Sequence, residues 1–163
     1  MSGPKINPSL LIASGLGSGF FPIAPGTAGS LAALPPGIAL LLLPGWVLPM
    51  AILSITLLGL WAVTQEGRGH PGEWDPPWVV IDEWAGQWMA MLPLASPRPL
   101  GVLAAFALFR FFDIVKPGPV GWADRQPGAA GVMADDLIAG LLAAGVLWAV
   151  ESRYPDLLVI SHG

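Results

Sequence analysis

With 163 residues, 54% of them hydrophobic and only 11% charged, the chain is sized for one domain over residues 1–163, and it is poor in charge beside the ~25% of an average soluble domain. A net charge of −4 without a basic stripe argues against nucleic-acid binding, which needs cations along the phosphate track. The absence of cysteine excludes disulfides, thiolate nucleophiles and thiolate metal sites together.

No charged residue occurs from Ile6 through Gln65. A small soluble protein needs charge on its outer face, so the composition predicts an all-α multihelical bundle, membrane-embedded, with short helical hairpins and an active-site face built from connecting loops. The first fifteen residues carry a single Lys5 before an apolar segment broken by Asn7 and Pro8, which reads as mature protein and not as a signal peptide.

Residues 14–29 are rich in glycine and proline and read as a loop. Residues 31–43 and 46–63 are apolar and separated by Pro44-Gly45, a turn signal that predicts two antiparallel helices, with Pro35-Pro36-Gly37 and Pro49 disturbing their starts. Residues 64–77 are polar and turn-rich. A second apolar pair, 84–94 and 100–112, is joined by a proline-rich tip carrying Arg98. Residues 113–136 read as a glycine-rich loop, and 137–150 as the last apolar helix. Several arms fall short of the ~30 Å hydrocarbon core at ~1.5 Å per residue. If the polar segments share one face, Lys5, Arg68, Arg110, Lys116 and Arg125 lie on it and Arg98 and Arg153 opposite, so the positive-inside rule makes that face cytoplasmic.

The acidic residues gather in short clusters, Asp82-Glu83, Asp113, Asp124 and Asp135-Asp136, set against apolar runs. Carboxylates beside apolar surface need a positive partner. A hard divalent cation fits, because Mg²⁺ favours the oxygen ligands that Asp and Glu supply. Neighbouring positions on a helix diverge by ~100°. Each acidic pair therefore serves one site only if the cation sits between helices or one member faces a second partner. The pairs also sit in similar surroundings, IDEWAG at 81–86 and ADDLIAG at 134–140, with one residue of difference in spacing.

APGTAGS at 24–30 has the makings of an anion site at a helix N-terminus, where free N–H groups and a hydroxyl converge. Its plain alternative is that Thr27 or Ser30 caps a helix from Leu31 onward. It is neither a Walker A loop nor a dinucleotide fingerprint. Asp75-Pro76 reads as a cap followed by proline at the first helical position. Arg110, Asp113 and Lys116, spaced i, i+3, i+6 before Pro117, form either a salt-bridge ladder or a phosphate clamp; Asp124-Arg125 admits the same two readings. His70 and His162 lie in a turn-rich loop and the tail, poor places for a catalytic base. The eight tryptophans fall near segment ends, as membrane-interface anchors or as core.

These motifs, in this order, resemble the phosphatidylglycerophosphatase A family. They are APGTAGS; Asp75 with Asp82-Glu83 and Gly86; Arg110, Asp113, Lys116-Pro117 and Pro119; then Asp124-Arg125, Gly128, Gly131, Asp135-Asp136 and Gly140. Ala129 departs from the pattern, where the family usually has a second glycine. The resemblance implies Mg²⁺-dependent hydrolysis of the phosphomonoester of phosphatidylglycerophosphate in a bacterial inner membrane. On that reading Asp82, Glu83, Asp135 and Asp136 hold one or two Mg²⁺, and Asp113 or Asp124 is the base. Gly26, Thr27, Ser30, Arg110, Lys116 and Arg125 bind the substrate phosphate. An aspartyl-phosphate intermediate stays open. Two other classes compete. One is a small multi-pass cation transporter or channel with acidic ion-binding clusters, which calls for acids within the spans. The other is a phosphatidyl-transfer enzyme, whose Asp-Gly signature is absent.

Overall fold

The computed structural model describes residues 7–69 and 74–154. Lys5, His70 and His162 lie outside the described residues. Seven α-helices and one 3₁₀ turn, with no strand among the described residues, make an all-α bundle. They are α1 Pro8–Ala13, the 3₁₀ turn Ser18–Phe20, α2 Pro25–Leu41, α3 Val47–Gly69, α4 Ile81–Ala90, α5 Pro99–Val115, α6 Pro119–Asp124 and α7 Gly128–Arg153.

The two expected hairpins are present. Pro44-Gly45 lies in the turn between α2 and α3, and Arg98 is the N-cap of α5. The segments expected as loops are helical over much of their length. Pro25 stands in the first turn of α2, where a missing N–H costs nothing, so the helix starts six residues before Leu31. Pro35 and Pro36 then fall inside α2, and α3 continues through residues 64–69. Asp82 and Glu83 belong to the first turn of α4, Arg110 and Asp113 to α5, and Asp135 and Asp136 to the interior of α7. The candidate face is therefore built mainly from helices and not from connecting loops.

The centre of the bundle is α4, packed by α2, α3, α5 and α7. All of its ten residues but Glu83 and Met89 are buried, which an amphipathic surface helix would not show. Trp84 and Trp88 are core residues, and the Trp88 indole donates to the Ala33 carbonyl of α2 at 2.8 Å. Trp46, Trp61, Trp122 and Trp148 are exposed. The outer faces are apolar: Leu53, Leu57 and Leu58 on α3, Leu103 and Ile114 on α5, and Leu141 on α7 are all exposed. Val47–Gly69 and Gly128–Arg153 are each long and apolar enough to cross a membrane.

Candidate active site

The N-termini of α2 and α4, the C-terminus of α5 and the first half of α7 meet at one end of the bundle. Asp82 and Glu83 reach inward from α4 and Asp136 from α7, and each offers an oxygen within 4.8 Å of the other two. The three oxygens converge between α4 and α7, the arrangement in which adjacent acids on a helix can share one site. Asp82 and Asp136 are 6% and 2% exposed. Asp82 Oδ1 and Glu83 Oε2 are buried without a hydrogen-bond partner among the described residues. Buried, clustered carboxylates with free lone pairs are costly unless a cation joins them. An all-oxygen donor set fits a hard ion such as Mg²⁺.

Asp113 stands beside Asp136, within side-chain hydrogen-bonding reach, and pairs with Arg110 one turn earlier on α5. Arg110 Nη1 also donates to Ser30 Oγ at 3.4 Å, while Ser30, fully buried, donates to the Gly26 carbonyl at 2.8 Å. Arg110 Nε has no partner among the described residues. Gly26 is a close-approach glycine: a Cβ there would collide with Glu83 Oε1 and come 3.4 Å from Arg110 Nη1. The N-terminus of α2 is thus pressed against the triad. Its N-cap is Ala24, at φ +49° and with no side-chain cap bond, so neither Thr27 nor Ser30 caps the helix as one reading of the sequence had it.

Asp135 does not join the triad. Its Oδ2 accepts from Lys116 Nζ at 2.5 Å, as does Asp124 Oδ1 at 2.5 Å. Lys116 ends α5 in the left-handed region, at φ +49°, and turns away from the expected ladder with Asp113 to bridge α6 and α7. Burial would lower its pKa, but the hydrogen bonds and charges of Asp124 and Asp135 outweigh burial and raise it above the ordinary lysine range. Arg125, exposed at the C-cap of α6, makes no ion pair among the described residues and is not drawn into the cluster.

Three polar residues of this end were not singled out as site residues from sequence. Asp75 caps no helix, since α4 begins only at Ile81. Burial raises its carboxyl above the usual range, Lys116 opposes that shift, and Asp124 and Asp113 add to it. Gln87 is fully buried one turn past Glu83, with neither end of its amide partnered among the described residues. Its i+4 spacing from Glu83 was the available signal. Gln126 lines a cavity of about 310 Å³ with Trp74, Asp75, Asp124 and Asp135, and no sequence spacing joins these five.

The chain matches the family Phosphatidylglycerophosphatase A over residues 11–151. It is similar to "Phosphatidylglycerophosphatase A" of Escherichia coli, 36% identical over 91% of this chain and 87% of the relative. The protein of the same name from Haemophilus influenzae is 37% identical over 90% of each. A "Putative phosphatidylinositol-3-phosphatase" of Bacteroides thetaiotaomicron is 43% identical over 86% of this chain and 91% of that one. No solved structure matches. A family match across most of the chain, together with relatives above one-third identity along nearly their whole length, shows that the chain belongs to the phosphatidylglycerophosphatase A family.

Proposed function

We propose that this lipid phosphatase hydrolyses the terminal phosphomonoester of phosphatidylglycerophosphate, with Mg²⁺ held by Asp82, Glu83 and Asp136. The observation that carries this reading is the convergence of those three carboxylates on the guanidinium of Arg110 and the free N-terminal amides of α2. Mg²⁺ bound there would supply charge neutralisation at the phosphate oxygens and a more acidic water.

The chain's own residues do the rest. Arg110 and the amides of Gly26 and Thr27 face the oxygens of the transferring phosphoryl group, whose charge they stabilise without reorganising. Ser30 holds Arg110 in place. Asp113, beside Asp136, takes the proton that the attacking water loses as its oxygen bonds to phosphorus. The phosphorus–oxygen bond to glycerol breaks, and the glycerol oxygen leaves as an alcohol after taking up a proton from solvent. Asp124 is tied through Lys116 to Asp135, outside the triad, so Asp113 is the better placed of the two for the role of base.

The name of the Bacteroides relative favours a second substrate, phosphatidylinositol 3-phosphate. Both lipids present a phosphomonoester on a hydroxyl-bearing group that a phosphodiester links to diacylglycerol. The family assignment gives no support to ion transport.

The site is proposed to face the cytoplasm from a bacterial inner membrane. Supporting this are the two helices of spanning length, the apolar outer faces, and the placement of Arg68, Arg110, Lys116 and Arg125 toward the site end with Arg98 on the far turn. Phosphate release from phosphatidylglycerophosphate by the purified protein with Mg²⁺ tests the proposal. No release at any Mg²⁺ concentration would refute it.

A further inference from the structure

We propose that the cavity beside Asp135 receives the polyol that carries the scissile phosphate, and that it sets which phosphorylated headgroup the protein uses. This rests on the phosphatase reading above. The cavity, about 310 Å³, opens between Trp74-Asp75, the end of α6 and the first turns of α7. That volume lies at the lower end of the ~300–1,000 Å³ range of small-molecule pockets.

Its lining decides the class of occupant. Asp75, Asp124 and Asp135 present carboxylate oxygens, Gln126 an amide and Trp74 an indole. Asp135 is 95% buried by its 5% exposure; Lys116 occupies its Oδ2, and Oδ1 has no partner among the described residues. Such a wall repels a phosphate dianion, and desolvating it against an acyl chain is unfavourable. Hydroxyl groups suit it, because each donates a charge-assisted hydrogen bond to a carboxylate while the indole packs the C–H face of the polyol.

The cavity is also in the right place. Asp135 and Asp136 are neighbours on α7 that diverge by ~100°. One faces the cavity and the other the triad. With the phosphate at the triad, the proposal places glycerol or inositol, the group on its ester oxygen, on the Asp135 side of α7 in the cavity.

The test compares kcat/KM for three lipids of identical acyl chains in mixed micelles with Mg²⁺: phosphatidylglycerophosphate, phosphatidylinositol 3-phosphate, and phosphatidic acid, whose phosphomonoester sits directly on diacylglycerol. Gln126→Ala changes an exposed side chain whose amide otherwise donates to the Trp122 carbonyl at 3.0 Å. Trp74→Phe is the second variant, keeping an aromatic ring against Gly67. In each, the ratio of kcat/KM for the preferred polyol lipid over phosphatidic acid should fall about tenfold, through KM. The two polyol lipids, run side by side, show whether glycerol or inositol is the group read. An unchanged ratio in both variants overturns the proposal. So does a shift confined to the Mg²⁺ concentration for half-maximal activity, which would make the cavity a second cation site. Failure of the unmodified protein on all three lipids would instead overturn the phosphatase reading itself.

Discussion

Gly140 of α7 sits directly against the carbonyl oxygen of Gly86 of α4, so close that a Cβ on Gly140 would collide with it, while a Cβ on Gly86 would come 2.6 Å from the Asp136 carbonyl. Each glycine lies four residues after an acid of the triad, Asp82 before Gly86 and Asp136 before Gly140. The shared Asp-x3-Gly spacing puts an acid one turn above a glycine on each helix. Backbone contact at the glycines brings the acids together, which makes the helix crossing part of the geometry on which the proposed cation site depends.

Gly140→Ala should accordingly lower both melting temperature and turnover. Overpacking against backbone costs ~1–3 kcal/mol, more than the ~1 kcal/mol that alanine adds through helix propensity. Gly145→Ala on the same helix, where a Cβ meets nothing within 4 Å, should raise the melting temperature with turnover unchanged. Thermal melts with phosphate-release assays on the pair decide this. Stabilisation of the Gly140 variant with normal turnover would show that the crossing tolerates separation.

Asp82→Asn and Asp136→Asn should each reduce turnover more than about a hundredfold, a loss larger than that typical of groups supporting a metal ligand. Chelation should abolish activity and added Mg²⁺ restore it. In chelator, both variants should melt at or above the parent's temperature, because each removes a buried charge from a mutually repelling set. Full activity after exhaustive chelation is the outcome that rejects the cation.

Lys116→Ala leaves Asp135 buried beside Asp124 without its cation, so stability and turnover should both fall. Adding Asp135→Asn to that variant should recover much of the melting temperature without recovering turnover. Recovery of both would reduce Lys116 to a structural bridge.

Thr27→Val keeps the side-chain shape and removes only the hydroxyl. Since the N-cap of α2 is Ala24, the melting temperature should hold while turnover falls about tenfold, the size of one lost hydrogen bond. A lower melting temperature with normal kinetics would return Thr27 to a capping role.

The protein should stay with membranes through alkaline carbonate extraction. In this cysteine-free chain, Arg68→Cys should label from the cytoplasmic side and Arg98→Cys should not, because the C-terminal end of α3 and the α4–α5 turn lie at opposite ends of the bundle. Equal labelling would overturn the topology and leave the chemistry standing.

Much of this was legible in the amino-acid order alone. Long charge-free runs, Pro-Gly turns and acidic pairs against apolar residues were sufficient for an all-α bundle, two hairpins and an acid-rich end, because hydropathy and turn chemistry are local properties of a chain. Helix limits were less legible. Pro25 and Gly128 look like loop residues but stand in the first turns of α2 and α7, where proline's missing N–H costs nothing and glycine accepts a left-handed φ. Sequence spacing showed that Asp135 and Asp136 must diverge, yet not which of them would meet Asp82 and Glu83. That was decided by which helix lies opposite, through the Gly86–Gly140 contact, and by the left-handed turn at Lys116 that claims Asp135. The same holds for Gln87, Gln126 and Trp74, whose places depend on neighbours distant in the chain: burial and pairing are properties of the packed helices, and no local signal encodes them.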